Sequence, residues 1–184
     1  NAGNSITSGG NYNVCIGDEA GTALTTGDGN VAVGFEALST EDADGSNTAV
    51  GFQALKTLNA GTAAYNTAVG SEAGELMTTG TQNTLIGALC GDAITDGGAN
   101  VALGYASLSA EVRGNRAVAL GHSALAAQSF SSSTANYNVG VGFHAGTSIT
   151  TGIQNTLLGG LAGDVLTDAD YNVAVGTIAL SADT

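Results

Sequence analysis

The chain has 184 residues, of which 16 are acidic and three are basic, so its formal net charge at pH 7 is −13. This charge argues against binding of nucleic acid and of anionic membrane surfaces, because both need a basic protein surface. The hydrophobic content of 43% is high enough to build a core, and no stretch is long and apolar enough to predict a membrane span.

A short motif, Asn-(Val/Thr)-Ala-(Val/Leu/Ile)-Gly, recurs along the chain, in most cases every 17 residues. Two short insertions, near Ala63 and Ser132, lengthen single units. We number the positions of each unit from 1, the repeat Asn, to 17, the residue directly before the next repeat Asn, and leave inserted residues unnumbered. A repeat held in one phase predicts one repetitive domain over residues 1–184, in which each unit is a coil of a solenoid. The units begin at Asn13, Asn30, Asn47, Asn66, Asn83, Asn100, Ala117, Asn138, Asn155 and Asn172.

Each unit contains one short run that predicts a β-strand. Positions 2 to 4 are apolar and rich in β-branched residues, and they lie between the Asn and a Gly that occupies position 5 in every unit. Such a Gly predicts a positive φ or a lack of space for a Cβ. About ten stacked coils with parallel strands roughly 4.8 Å apart predict an all-β parallel β-solenoid. The Asn side chains are expected to stack into a ladder at one corner.

The two faces of the predicted strand differ in side-chain size. Position 4 is always Val, Ile or Leu, which makes it the better candidate for the interior of the coil. Positions 3 and 8 are mostly Ala, and such small residues favour close contact with a neighbouring chain. Because a coil of 17 residues encloses a thin core, further burial by oligomerisation is expected.

The stretch NTAVGFQAL from Asn47, followed by TTG-x-x-NT from Thr79, resembles the repeats of phage tail-fibre and fibre-like surface proteins. The Ala-Val-Gly-x-x-Ala core also resembles the head repeats of trimeric autotransporter adhesins, whose unit is shorter. The resemblance implies a left-handed β-roll, a homotrimer, and an extracellular role in attachment, on a virion fibre or a cell surface. These families carry no catalytic residues in such repeats, so we predict that the chain is not an enzyme.

Both ends of the sequence fall within a unit, at Asn1 and at Thr184. This predicts either a segment of a longer fibre or a filament subunit that stacks head to tail. Two further functions stay open, which are binding of a receptor or glycan by the solenoid surface and ice binding. Ice binding would need a regular Thr ladder, whereas Thr alternates with Val at position 2.

Aromatic residues recur at position 6, directly after the repeat Gly. They predict an exposed or interfacial stripe that could either grip sugars or pack between chains. The members of this contact stripe are Phe35, Phe52, Tyr105 and Phe143. His122 and His144 lie in adjacent units after the repeat Gly, and without a third ligand they predict solvent-facing or interfacial side chains rather than a metal site.

Cys15 and Cys90 each replace an Ala of the repeat, so we expect buried small residues, with an interchain disulfide as the alternative. Acidic corners at Asp92 and Asp96, repeated at Asp164 and Asp168, could hold Ca²⁺. A second acidic cluster comprises Glu41, Asp42 and Asp44. No known Ca²⁺-loop motif is present, so a solvated acidic surface is the preferred interpretation, and no cofactor is predicted.

Overall fold

The structure, a computed structural model, describes residues 1–43 and 45–181. Within these ranges the chain forms strands, turns and bends and no helix, which confirms the all-β prediction. Ten three-residue strands form one parallel sheet, in which each strand pairs with the strand of the next coil. They are β1 (Val14–Ile16), β2 (Val31–Val33), β3 (Thr48–Val50), β4 (Thr67–Val69), β5 (Thr84–Ile86), β6 (Val101–Leu103), β8 (Val118–Leu120), β10 (Val139–Val141), β11 (Thr156–Leu158) and β12 (Val173–Val175).

The register of the sheet follows the repeat. Every pairing joins residues at the same position of neighbouring units, as in Val14 with Val31 and Ala68 with Leu85. The insertions do not shift this register, because the extra residues are placed in the turns. The second insertion forms β9 (Thr134–Ala135), which pairs with β7 (Gly114–Asn115) beside the main sheet. The result is the predicted parallel β-solenoid, with about nine turns and a spacing of about 17 residues.

The prediction that position 4 faces the interior is wrong. Position 3 points inward, and its Ala residues in β2, β3 and β4 are fully buried. Positions 2 and 4 point outward, so that Ile16 is 59% and Leu103 is 49% exposed. The small residues at positions 3 and 8 therefore pack within their own chain and not against a neighbour. The physical reason is that the coil is too thin to hold a β-branched side chain on every strand.

In most coils a large residue at one of positions 3 and 9 is matched by a small residue at the other. Where position 3 is Leu, as at Leu85 and Leu157, position 9 of the same coil is Gly. A Cβ on Gly91 would lie 2.9 Å from Leu85 Cδ2, and one on Gly163 would lie 2.8 Å from Leu157 Cδ2. Coils with Leu at position 9 have Ala at position 3. Where both positions are small, as at Ala68 with Gly74, Leu side chains of the neighbouring coils fill the space, since a Cβ on Gly74 would lie 2.9 Å from Leu55 Cδ2 and 3.0 Å from Leu85 Cδ1.

The repeat asparagines form the expected ladder, but its rungs mostly join a side chain to a backbone. The Oδ1 of Asn66 accepts the backbone N–H of Asn83 at 2.9 Å, while its Nδ2 donates to Gly80 O at 2.8 Å. Each such Asn thus ties its coil to the next and closes its own coil. Amide-to-amide bonds, such as Asn83 Nδ2 to Asn66 Oδ1 at 3.2 Å, add to these contacts.

One coil begins with Ala117 and has no amide for the ladder, and the inserted segment supplies a replacement. Asn136 Oδ1 accepts the backbone N–H of Asn138 at 3.0 Å, which is the bond that the missing side chain would have made. Asn136 is fully buried. The insertion therefore repairs the ladder in the coil where the motif departs from its pattern.

Buried polar residues also occupy position 12 of some coils. Glu111 Oε1 accepts the N–H groups of Val112 at 2.9 Å, of Arg113 at 3.1 Å, of Gly114 at 2.6 Å and of Phe130 at 3.3 Å. Its Oε2 accepts Gln128 Nε2 at 2.7 Å. This carboxylate therefore anchors the start of the second insertion.

Glu41 lies at the same position 12 as Glu111 and is also buried. The sequence analysis placed Glu41 in an acidic surface corner, and this prediction is wrong. The inward orientation of position 12 accounts for this difference. Asp42 is exposed, and Asp44 lies outside the described residues.

Replacement of Asn66 by Ala is expected to destabilise the chain by about 2–4 kcal/mol, because it leaves the Asn83 N–H and the Gly80 carbonyl buried without this partner. Urea unfolding followed by circular dichroism measures this loss. Asn59→Ala, at an exposed position, is the matched control and should change the stability by less than about 0.5 kcal/mol. Equal losses in both variants would show that the ladder contributes no stability of its own.

Candidate functional site

The outer face of the ten-stranded sheet is apolar. It is formed by the side chains at positions 2 and 4, which carry Val, Thr, Ile or Leu in every strand and no charge. Five of these side chains are 44–66% exposed, namely Val14, Ile16, Leu103, Leu158 and Val175. We call this surface the outer sheet face. Contiguous apolar patches above a few hundred Å² are uncommon on monomers and mark interaction surfaces.

The dimensions of the outer sheet face follow from the strand geometry. Ten strands spaced about 4.8 Å apart extend roughly 45 Å, and the three residues of each strand extend about 10 Å. The strand side chains thus cover roughly 450 Å². Aromatic residues occur on both sides of this area, at position 6 and at position 17, in four coils each.

The predicted contact stripe lies along one border of the outer sheet face. Phe35, Phe52, Tyr105 and Phe143 are 40–56% exposed. The rings of Phe35 and Phe52 stack with their centroids 5.6 Å apart and their planes 18° apart. The stripe is not continuous, because Ser71 and Ala88 occupy position 6 in the coils between Phe52 and Tyr105. It consists of two aromatic groups separated by two coils.

Both histidines belong to the second of these groups. The His122 ring lies between Tyr105, at a centroid distance of 5.1 Å, and Phe143, at 5.5 Å. His144 stacks on His122 with centroids 5.5 Å apart and planes 12° apart. His122 Nδ1 is 3.0 Å from Ser123 Oγ. These contacts make both histidines members of an aromatic stack on the surface of the chain.

A second, sparse aromatic row lies on the opposite border, at position 17, with no two members in adjacent coils, and the sequence analysis did not identify it. Its members share a left-handed backbone with φ between 52° and 59°, and all are exposed. The sequence did contain a signal for this row, which is a Tyr directly before the repeat Asn of four units. The residues of this row are Tyr12, Tyr65, Tyr137 and Tyr171.

The two cysteines are free and lie apart from these surfaces. Cys90 is fully buried, and its Sγ lies 3.2 Å from Ser107 Oγ, which confirms its expected role as a small core residue. Burial raises the pKa of the Cys90 thiol to about 11. Cys15 is partly buried on the inner side of β1, and burial raises its pKa as well.

Native Cys90 is expected to react with a thiol reagent such as 5,5′-dithiobis(2-nitrobenzoate) far more slowly than an ordinary thiol. At pH 8 a pKa of about 11 leaves only about one thiolate in a thousand, and the site is also closed to the reagent. The absorbance of the released thiolate reports the reaction, and denaturant should expose both thiols. Rapid modification of Cys90 in the native protein would contradict its buried position. The Cys90→Ala variant shows which part of the absorbance comes from Cys90.

Among residues 1–43 and 45–181, no three His, Cys, Asp or Glu side chains are arranged to hold a metal ion. Asp96 pairs with Arg113 at 3.5 Å, and Asp168 accepts a hydrogen bond from Thr167 Oγ1 at 3.2 Å. Burial raises the pKa of Asp92, and the nearby carboxylates of Glu72 and Glu75 add to the shift. The acidic residues thus lie apart from the outer sheet face.

Fold and surface together define a class, a repetitive parallel β-solenoid with one apolar outer face and two aromatic borders. No protein-family model, curated protein or solved structure matches the chain. Among the described residues, no helix has the length and the apolar character that crossing a membrane would require.

Proposed function

We propose that the chain is a structural segment of an extracellular fibre, in which copies pack against one another through the outer sheet face. The observation that carries this proposal is the segregation of charge. A chain with a net charge of −13 has no charged residue at positions 2 and 4 of any unit. Within residues 1–43 and 45–181 its acidic residues instead lie outside the strands, and the exposed ones keep the assembled rod soluble.

The size of the surface supports a specific interface. With the contact stripe at position 6 included, the surface measures roughly 45 Å by 15 Å, or about 700 Å², which approaches the roughly 800 Å² that a stable interface buries on each partner. Tyr and Phe are enriched at such interfaces relative to the rest of the surface. The number of copies, three, is taken from the resemblance of the repeat to trimeric fibre proteins. In such a fibre the segment spaces or presents an element that attaches to a host or a surface.

Binding of a glycan by the contact stripe is the second candidate, and the exposure of its rings favours it. The stacking of Phe35 on Phe52 nevertheless places ring faces against each other, so fewer faces are free to receive a sugar. Ice binding has less support, because only β3, β4 and β5 among neighbouring strands carry consecutive Thr at position 2.

A variant with Ser at the four stripe positions separates the two candidates, since Ser71 naturally occupies position 6. Its substitutions are Phe35→Ser, Phe52→Ser, Tyr105→Ser and Phe143→Ser. If the chain is a spacer and the stripe lies at the interface between copies, this variant should assemble less tightly than the unaltered chain. Its binding to a glycan array should not change. Loss of a bound glycan with unchanged assembly would overturn the structural proposal in favour of a binding surface.

A further inference from the structure

A groove of about 400 Å³ interrupts the row of side chains at position 17, next to the inserted segment 129–135. Its floor is formed by Gly98 and Ala99, which have little or no side chain. The coils on either side supply Gln82 and Arg116, each also at position 17. These two walls are two coil spacings apart, or about 9.6 Å. A missing side chain in one coil thus leaves a notch between two polar ones.

The inserted segment closes the third side of the notch. Asn115 holds it there, because its Nδ2 donates to Ser133 Oγ at 3.1 Å and to Thr134 O at 3.4 Å. Its Oδ1 accepts the N–H of Gly98 at 2.8 Å, which fixes the floor to the same side chain. The strands β7 and β9 also pair with each other at two residue positions, which strengthens this connection. The groove is therefore bounded by elements that are fixed by hydrogen bonds.

Arg116 differs from the two other basic side chains of the protein. Lys56 pairs with Glu36 at 2.6 Å and Arg113 with Asp96 at 3.5 Å, whereas Arg116 has no ion pair among the described residues. Its Nη1 donates to Tyr137 Oη at 3.3 Å, and its guanidinium carbon lies 5.6 Å from the centre of that ring. The remaining N–H groups of an oriented guanidinium are suited to a planar oxyanion.

We propose that this notch binds a sugar residue carrying one carboxylate, of the uronic acid class. Arg116 would take the carboxylate, while the Thr81 hydroxyl, the Gln82 amide and the Ser133 hydroxyl match the hydroxyl groups of a pyranose ring. One guanidinium within a field of net charge −13 favours a monoanion over a phosphate or a polyanion. The volume is within the range of small-ligand sites. This inference goes beyond the structural role and does not depend on it.

NMR titration of the full chain with methyl β-glucuronide tests the proposal, with methyl β-glucoside and acetate as comparison probes. We expect saturable shifts at the Gly98 amide and the Arg116 Nε–H with the glucuronide. Both comparison probes should bind about tenfold more weakly or worse, because each lacks one half of the recognised chemistry. Arg116→Gln should weaken glucuronide binding by a similar factor.

Ala99→Tyr should abolish binding by filling the notch with the residue that position 17 carries in other coils. Ser46→Tyr is the matched control, because Ser46 lies at position 17 of a distant coil with a similar positive φ. The absence of saturable shifts with glucuronide would overturn the proposal. So would equal binding of the neutral glucoside, equal binding of acetate, or an equal loss in the Ser46→Tyr variant.

Discussion

Replacement of Gly87 by Ala is expected to destabilise the solenoid by more than about 4 kcal/mol, through two separate effects. Gly87 has a φ of 139°, in a region that residues with a side chain rarely adopt. A Cβ would also lie 2.5 Å from Gly104 O and 2.6 Å from Gly104 C in the next coil. Because both contacts are with backbone, relief of the clash requires the two coils to separate and to lose their strand pairing.

Gly29→Ala is the matched control for this prediction. Gly29 also has a positive φ, of 68°, but a Cβ there would meet no atom within 4 Å. Position 17 carries Ala99 in another coil at a φ of 57°, so the cost should stay near about 1 kcal/mol. Urea unfolding of both variants gives the comparison. Similar losses would mean that the close stacking of the position-5 glycines does not hold the coils at their spacing.

Leu103→Lys on the outer sheet face is expected to raise the dissociation constant of the assembly by at least about 100-fold. The side chain is 49% exposed within one chain, so the folded protomer can accept a Lys with little loss of stability. An interface that covers this position would instead bury an ammonium group without a partner, and in a symmetric assembly every copy would contribute one.

Ala110→Lys provides the control, since it adds the same charge to an exposed turn of the same coil. Sedimentation velocity over a range of concentrations measures the dissociation of both variants, and thermal unfolding monitors the protomer. If Leu103→Lys associates as tightly as Ala110→Lys, the outer sheet face is not the interface between copies.

The repeat alone was sufficient to predict the strands, their parallel order and their register, because each unit repeats the same pattern of Asn, apolar run and Gly. It did not reveal which strand face is inside. That choice depends on the thickness of the coil, which is set by turns in which residues such as Leu38 and Leu55 adopt a positive φ. Leu has no strong preference for this conformation, so the sequence carries no local signal for it.

The candidate surfaces were predictable to a different extent. The stripe at position 6 could be identified because the aromatic residues follow an easily recognised Gly. The groove at Arg116 could not, since it depends on the short side chain at Ala99, on two polar neighbours in other coils and on an insertion that bends toward them. The replacement of the missing ladder amide by Asn136 could not be predicted either, because Asn136 belongs to an insertion and not to the 17-residue repeat.

The molar mass of the purified chain, measured by size-exclusion chromatography with multi-angle light scattering, tests most directly whether the outer sheet face is covered by copies of the same chain. We expect a discrete species at three times the 17.8 kDa of the chain, with its mass independent of concentration in the micromolar range. Masses that grow with concentration without limit would favour head-to-tail stacking over a closed trimer. A monomer of 17.8 kDa would mean that copies of the chain do not cover the outer sheet face.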